Sequence, residues 1–149
     1  MSTEFRHIVR LAGKDLDGTR KVAYALTQIK GINIRLADAI AKKAEVPLDK
    51  RLGFLSEAEI RRIEDIILNI NNYNIPSWLL NRRKDLETGK DIHLITSDLD
   101  LKVKEDIEKE QAMKSWRGYR HSYGLKVRGQ RTRTTGRKGR VVGVKKRRR

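Results

Sequence analysis

The feature that most limits what this chain can fold into is the separation of its charges along the sequence. The first 113 of its 149 residues carry 20 basic and 19 acidic side chains, whereas residues 114–149 carry 15 basic and no acidic ones. The C-terminal segment repels itself and holds too few large apolar residues to offset the entropy cost of ordering. The sequence therefore predicts a nearly neutral domain, residues 1–113, joined to an extended basic tail, residues 114–149, without a stable structure of its own.

This charge asymmetry indicates a polyanionic partner, either nucleic acid or an anionic membrane surface. Residues 145–149, KKRRR, also match a nuclear signal or a polybasic membrane anchor. An anchor normally needs a second apolar or lipid element, and no apolar run approaches the length of a membrane helix. The N-terminus lacks the features of a signal peptide. We therefore expect a cytoplasmic protein that binds nucleic acid and has no membrane partner.

Residue types needed for catalysis or metal binding are scarce. The chain has no cysteine, which excludes thiol chemistry, cysteine zinc sites and disulfides and fits a reducing cytosol. Its histidines, His7, His93 and His121, are far apart and lack the spacing of metal ligands. The sequence suggests no cluster of acids with a histidine. We expect no enzyme activity, no cofactor and no metal.

Apolar periodicity predicts an all-α fold for residues 1–113. The first helix is expected to begin after Asp17 as its N-cap and to end at Gly31, which adopts a left-handed conformation without steric cost. Its apolar face consists of Val22, Ala25, Leu26 and Ile29.

Three more helices are predicted. The second covers residues 34–44, and the third begins with the capping box SEAE at Ser56. The fourth is a long helix over residues 99–113, and two side chains before it, Ser97 and Asp98, can cap it.

Residues 73–96 interrupt this pattern. A short turn of helix is expected near their start. Thr88 and Gly89 then form a turn, and Ile92 and Leu94 alternate with polar neighbours. This alternation predicts a small β-hairpin.

Two elements have both a functional and a structural interpretation. The turn at Lys30, Gly31 and Asn33 either directs backbone amides and a helix N-terminus at a phosphate or is an ordinary helix end. The aromatic residues in SWRGYRHSYG either stack on bases or pack onto the domain. We expect Trp116 to pack onto the domain and leave both roles open for Tyr119 and Tyr123.

Several motifs give the chain a family resemblance. Residues 124–132, GLKVRGQRT, match the GL-x-VRGQRT signature of the universal family of ribosomal small-subunit protein thirteen. WRGYRH resembles the short arginine-rich helix before that signature, LAGKDLDGTRKVAYALTQIKGINIRLADAI is similar to the N-terminal segment, and SEAEI resembles the start of the third helix. Compared with the bacterial pattern, residues 73–96, with IPSWLLNRRKD and the predicted hairpin, are an insertion that looks like the archaeal and eukaryotic branch. The short chain favours an archaeal source. The ending VVGVKKRRR differs from the bacterial one.

The resemblance implies a helix-two-turn-helix fold for the N-terminal domain and a structural role in the head of the small ribosomal subunit. The implied partners are small-subunit rRNA and ribosomal small-subunit protein nineteen. Large-subunit protein five and large-subunit rRNA would be met at inter-subunit bridges. The tail would reach toward the tRNA in the peptidyl site.

The expected rRNA-binding residues lie in the glycine turn and along the tail. Arginine would contact phosphates and bases, Gly129 would allow close approach, and Gln130 and Thr132 would donate or accept hydrogen bonds. The full expected set is Lys30, Gly31, Asn33, Arg117, Arg120, His121, Lys126, Arg128, Gly129, Gln130, Arg131, Thr132, Arg133, Arg137, Lys138 and Arg140. Residues expected near tRNA are Lys145, Lys146, Arg147, Arg148 and Arg149.

Two other classes of protein remain as alternatives. A DNA architectural protein also combines a basic tail with helix-hairpin-helix turns. A nucleic-acid enzyme, such as a glycosylase, can share the helical module, but the sequence offers no evident nucleophile or metal ligands, and a shared fold does not imply shared chemistry.

Overall fold

The computed structural model describes residues 5–135. The chain divides into two compact units, and the boundary falls between Asp100 and Leu101. The first unit contains a β-hairpin and three helices, and the second contains most of a long helix followed by a short one. No helix among the described residues is long and apolar enough to cross a membrane.

The first unit opens with a hairpin that the helical prediction did not include. Strands β1 (Ile8–Leu11) and β2 (Lys14–Asp17) pair antiparallel. Ala12 and Gly13 connect them, both at positive φ (48° and 74°), which suits a tight hairpin turn. Side chains alternate between solvent and core along both strands. The fold is therefore mostly helical, consistent with the predicted all-α class, with one small hairpin in addition.

Helix α1 (Val22–Leu26) is shorter than predicted, and neither of its predicted ends is correct. Asp17 ends strand β2, and its carboxylate accepts hydrogen bonds from the amide and hydroxyl of Thr19 at 2.9 and 2.6 Å. It therefore stabilises the turn after the strand, and the helix starts after Lys21, without a side-chain cap. The helix ends at Leu26, and Gly31 lies further on, at a φ of 102°.

Helices α2 (Ile34–Lys43) and α3 (Glu57–Leu68) confirm the predicted second and third helices. The capping box is present, since the Ser56 hydroxyl accepts from the Glu59 amide at 3.3 Å and the Glu59 carboxylate accepts from the Ser56 amide at 2.7 Å. Short 3₁₀ turns lie at Leu52–Phe54, Ile70–Tyr73 and Ser77–Leu79, and the last is the predicted helical turn of the insertion.

The core of the first unit lies between the hairpin and the three helices. One apolar stripe of each helix is buried in it, as the 3.6-residue period requires. Its fully buried large side chains are Leu11, Leu16, Val22, Leu26, Ile29, Ile40, Leu52, Ile63 and Ile66.

The predicted hairpin in the insertion is reduced to a single bridge between Arg82 and Ile92. Side chains occupy the positions that further ladder bonds would need. The Asn81 amide group pairs with both the N–H and the C=O of Leu94, at 3.0 and 2.7 Å. The buried Asp85 carboxylate accepts from Arg82 at 2.5 Å and from Thr88 at 3.0 and 3.2 Å. These bonds fix a compact loop instead of two strands.

The long helix α4 (Thr96–Ala112) begins three residues before its predicted start. Ser97 and Asp98 therefore lie within its first turn and are not its caps. Helix α5 (Trp116–Ser122) follows, and the helical form of this segment is what the family resemblance implied. The expectation that the basic segment has no structure of its own is thus wrong for these residues. Residues 136–149 lie outside the described part of the chain.

Candidate nucleic-acid interface

Helix α5 is held against the end of α4 through Ser115 and Gly118. The Ser115 hydroxyl accepts a hydrogen bond from the Gly118 amide at 3.0 Å and lies 2.5 Å from a carboxylate oxygen of Glu110, to which it donates. Gly118 is buried, and a Cβ there would lie 2.1 Å from the Glu110 carbonyl oxygen. Only a residue without a side chain allows the two backbones to approach this closely.

The contact at Gly118 decides which side chains of α5 face α4. Arg117 and His121 are four residues apart and therefore share one side of the helix. Both line a cleft of about 420 Å³. Its other lining residues are Val103, Asp106, Ile107, Glu110, Val127 and Arg128. In this cleft two carboxylates are close to the cationic side chains, so Arg117 and Arg128 have acidic neighbours within their own unit.

The opposite side of α5 exposes three aromatic rings. Trp116, Tyr119 and Tyr123 are 70%, 52% and 65% exposed. The Trp116 and Tyr119 rings are stacked, 5.6 Å between centroids and 13° between planes, and Tyr123 follows at 4.9 Å from Tyr119. The expectation that Trp116 packs onto the domain is wrong, because the side of α5 that packs is the Gly118 side.

A Schellman motif ends α5 and begins the signature segment. The Gly124 amide bonds to the His121 carbonyl and the Leu125 amide to the Arg120 carbonyl, both at 2.9 Å. Gly124 has the left-handed conformation that the motif needs, with a φ of 65°. The Arg120 Nε also donates to the Lys126 carbonyl at 3.0 Å, which ties the loop back onto the helix.

The rest of the signature presents its polar groups on an exposed loop. The Arg128 amide donates to the Gln130 side-chain oxygen at 3.0 Å, and between them Gly129 has a φ of 73° with open space around its Cα. The exposed residues of the predicted set in this stretch are Lys126, Arg128, Gly129, Gln130, Arg131, Thr132 and Arg133. The backbone turn at Gly129 is thus stabilised by a hydrogen bond within the loop, and the side chains around it are exposed.

The glycine turn of the first unit is less open than the sequence suggests. Residues 94–96 cover it, because a Cβ on Gly31 would lie 2.6 Å from the Leu94 carbonyl oxygen and the Lys30 carbonyl accepts from the Thr96 amide at 2.9 Å. The Lys30 ammonium pairs with Asp100, and the Asn33 side chain accepts from the Ile34 amide at 2.7 Å. Each predicted residue of this turn therefore has a partner within its own unit.

The remaining predicted residues cannot be placed. Arg137, Lys138 and Arg140, and the tRNA-proximal set Lys145, Lys146, Arg147, Arg148 and Arg149, lie outside the described residues. Within residues 5–135, no group of three or more histidine, aspartate or glutamate side chains could hold a metal ion.

The predicted set omitted the exposed aromatic face as a unit. The signal was available, since aromatic residues at i, i+3 and i+7 share one side of a helix. What the sequence did not disclose is that Gly118 places the opposite side against α4. A helix and loop with a run of cations, no acids and exposed rings are typical of nucleic-acid-binding proteins.

Comparison with known proteins identifies the family within this class. The model of the family described as ribosomal protein S13/S18 matches residues 10–138. The chain is 56% identical to the small ribosomal subunit protein uS13 of Staphylothermus marinus, over 97% of this chain and 96% of the relative. The proteins of the same name from Aeropyrum pernix and Methanothermobacter thermautotrophicus are 53% and 50% identical, over 98% and 100% of this chain and 97% and 100% of the relatives.

The chain belongs to the ribosomal protein S13/S18 family. It is of the archaeal type, as the insertion and the short chain predicted. It is a structural and not an enzymatic protein of the cytoplasmic ribosome.

Proposed function

We propose that the protein is a structural constituent of the small ribosomal subunit that binds small-subunit rRNA in the head through residues 114–149. The observation that carries this proposal is the match to the family over residues 10–138, which includes the whole described part of the acid-free segment. The relatives to which the chain is similar are named as small ribosomal subunit proteins.

The exposed loop after α5 supplies the main phosphate contacts in this proposal. Arg128, Arg131 and Arg133 offer planar guanidinium groups that match phosphate oxygens in pairs. Gln130 uses its side-chain oxygen within the loop, so its amide N–H groups are the donors toward RNA. Thr132 adds a hydroxyl that can donate or accept.

The residues of α5 divide between two tasks. Arg117 and His121 lie in the cleft beside Asp106 and Glu110, where the carboxylates offset part of the Arg117 charge. Arg120 uses one N–H for the Lys126 carbonyl and keeps other guanidinium donors for RNA.

The glycine turn at residues 30–33 has a structural role in this proposal, because residues 94–100 contact or bond to its groups.

The finer assignments of the family resemblance belong to this proposal as well. The first unit would contact ribosomal small-subunit protein nineteen and, at inter-subunit bridges, large-subunit protein five and large-subunit rRNA. Residues 145–149, with five cations, would lie near the tRNA in the peptidyl site.

Competitive assembly tests the proposal. Small subunits are reconstituted with an equal mixture of isotopically labelled wild type and Arg128→Ala, and the ratio incorporated is measured by mass spectrometry. Loss of a charged hydrogen bond costs about 1.5–3 kcal/mol, so we expect the variant to be under-represented about tenfold or more.

The matched control is Arg62→Ala, which removes an exposed arginine from α3 of the first unit. Arg62→Ala should be incorporated like the wild type, and both variants should unfold at the wild-type temperature. Equal incorporation of Arg128→Ala and wild type would contradict the proposal.

Sedimentation separates the proposal from the DNA alternative. Native protein in a cell extract treated with a DNA-specific nuclease should sediment with small ribosomal subunits. Release from large particles by that nuclease would instead favour a DNA architectural protein.

A further inference from the structure

One side of α5 carries three adjacent aromatic residues that are exposed to solvent. Trp116, Tyr119 and Tyr123 expose more than half of each side chain in one continuous row. Contiguous exposed apolar surface of this kind marks an interaction site. The α4-facing side of the same helix is already occupied at Gly118, so the row is free to meet another molecule.

The geometry of the row suits flat ligands. Trp116 and Tyr119 lie nearly parallel, and the Arg120 guanidinium carbon lies 5.9 Å from the Trp116 ring centroid, within cation–π range. Ser115 and the Schellman motif fix both ends of the helix, so the rings are held on a short rigid element. Because Trp116 and Tyr119 stack on one another, each covers one π face of its neighbour, and a base can stack on the faces that point away from the neighbouring ring.

Charge decides the kind of partner. Residues 114–149 carry 15 cations and no acid, so any partner of the row also meets a strongly positive surface. A protein partner would need an acidic apolar surface, whereas single-stranded nucleic acid brings both flat bases and negative charge. Stacking of bases on aromatic residues beside a cationic groove is the common mode of single-strand binding.

We propose that the aromatic row of α5, Trp116, Tyr119 and Tyr123, is a stacking site for unpaired RNA bases. This proposal rests on the proposed function and names the part of the rRNA that the helix recognises. The phosphates of the same strand contact Arg120 and the loop that follows. Paired bases cannot enter the row, since a duplex stacks its bases internally.

Fluorescence of a single tryptophan gives a direct test. The chain has two tryptophans, Trp78 and Trp116, so the full-length Trp78→Phe variant reports on the row alone. A 12-nucleotide unstructured RNA should quench its emission in a saturable way. The matched Trp116→Phe variant keeps Trp78, which lies in the first unit, and should show no comparable quenching. A 12-base-pair RNA duplex should bind with little quenching.

Affinity gives a second test. The triple variant Trp116→Leu, Tyr119→Leu and Tyr123→Leu keeps every charge and removes the rings. Its affinity for single-stranded RNA should fall about tenfold or more, since base stacking contributes about 1–3 kcal/mol per base. The slope of log affinity against log salt should stay unchanged because the phosphate contacts remain. Circular dichroism checks that the variant folds, and the quenching test remains if it does not.

The outcomes separate this inference from the proposed function. If wild type binds no RNA, both are overturned. If Arg128→Ala weakens RNA binding but the triple variant binds like wild type and Trp116 is not quenched, this inference alone is overturned. Photocrosslinking in intact subunits should join peptides of α5 to nucleotides; crosslinks only to protein would assign the row to a protein partner and also overturn it.

Discussion

At the scale of single residues, two glycines with positive φ differ in what surrounds them. Gly13 has a φ of 74° and open space around its Cα, whereas Gly31 has a φ of 102° and faces the backbone of Leu94 and Ile95. A side chain at Gly13 meets only conformational strain. One at Gly31 meets strain and a steric clash.

We predict that Gly31→Ala lowers the free energy of unfolding more than Gly13→Ala does. Strain alone costs roughly 1–2 kcal/mol, and forcing atoms into a packed site adds about 1–3 kcal/mol. Urea denaturation of the full chain measures both variants. Equal losses would mean that residues 94–96 do not cover the Gly31 turn.

Gly118→Ala should have two opposing effects on stability, a gain in helix propensity and a steric clash with α4. Alanine in a helix normally stabilises by roughly 0.5–1 kcal/mol relative to glycine. Here the new Cβ would lie 2.1 Å from the Glu110 carbonyl oxygen, so we expect a net destabilisation of the α4–α5 contact. Hydrogen exchange of the α5 amides should become faster.

Gly129→Ala is the control for this variant. Gly129 has open space around its Cα and lies outside α5, so its substitution should leave exchange in the helix unchanged. Slower exchange of the α5 amides in Gly118→Ala would show that the gain in helix propensity exceeds the cost of the clash and that Gly118 does not pack tightly against Glu110.

At the scale of elements, local signals predicted some helices and failed for the hairpins. Helices α2 and α3 have caps and apolar faces that agree with one another, so sequence rules sufficed. The β1–β2 hairpin was missed because its strands are short and its turn places an alanine, Ala12, at positive φ. The insertion hairpin was overpredicted because the Asn81 side chain replaces ladder bonds, which strand periodicity does not reveal.

The candidate site also has features that the sequence predicted and features that it did not. The run of cations and the signature could be read directly from the sequence. The sequence could not show which side of α5 is exposed, because this depends on the approach of Gly118 to Glu110 in space. The closing of the Lys30–Gly31 turn likewise depends on residues more than 60 positions later in the chain, such as Leu94 and Asp100.

The insertion should respond to pH through His93. Burial lowers the pKa of His93 from its ordinary value, an effect partly opposed by a hydrogen bond with the Gly31 backbone, and its Nδ1 accepts from the backbone N–H of Asn81 at 3.2 Å. The unfolded chain therefore takes up this proton at a higher pH than the folded chain. The contribution to stability is present above about pH 6.5 and is lost as pH falls through the lower pKa of the folded state.

We predict that His93→Gln flattens the pH dependence of the unfolding free energy between about pH 7 and 5. Denaturant unfolding at several pH values measures it. A variant at His93 with the full wild-type slope would contradict the prediction. Asp85 should lower the free energy of unfolding further at more acidic pH, because the hydrogen bond from Arg82 holds the pKa of its carboxyl well below the ordinary value.

At the scale of the whole molecule, the segregation of charge sets how binding responds to salt. Residues 114–149 hold 15 cations, of which eight follow Thr135. Each phosphate neutralised contributes about 0.7–0.9 to the slope of log affinity against log salt. If the segment contacts about ten phosphates, that slope is roughly −7 to −9.

We predict that a chain ending at Thr135 binds rRNA with a salt slope about half that of the full chain. Filter binding or fluorescence titration over a range of salt concentrations measures it. The triple variant of the aromatic row is the matched control, since it should weaken binding without changing the slope. An unchanged slope after truncation would mean that the last 14 residues make few phosphate contacts.

The attachment of α5 to Glu110 through Ser115 and Gly118 has a consequence for the timing of recognition. Fixing a backbone residue in one conformation costs about 1–2 kcal/mol, and for this helix the chain itself has already met that cost. The helix is therefore ordered before an RNA strand arrives, and mutations that loosen the anchor should weaken RNA binding even when every RNA-contacting group is intact.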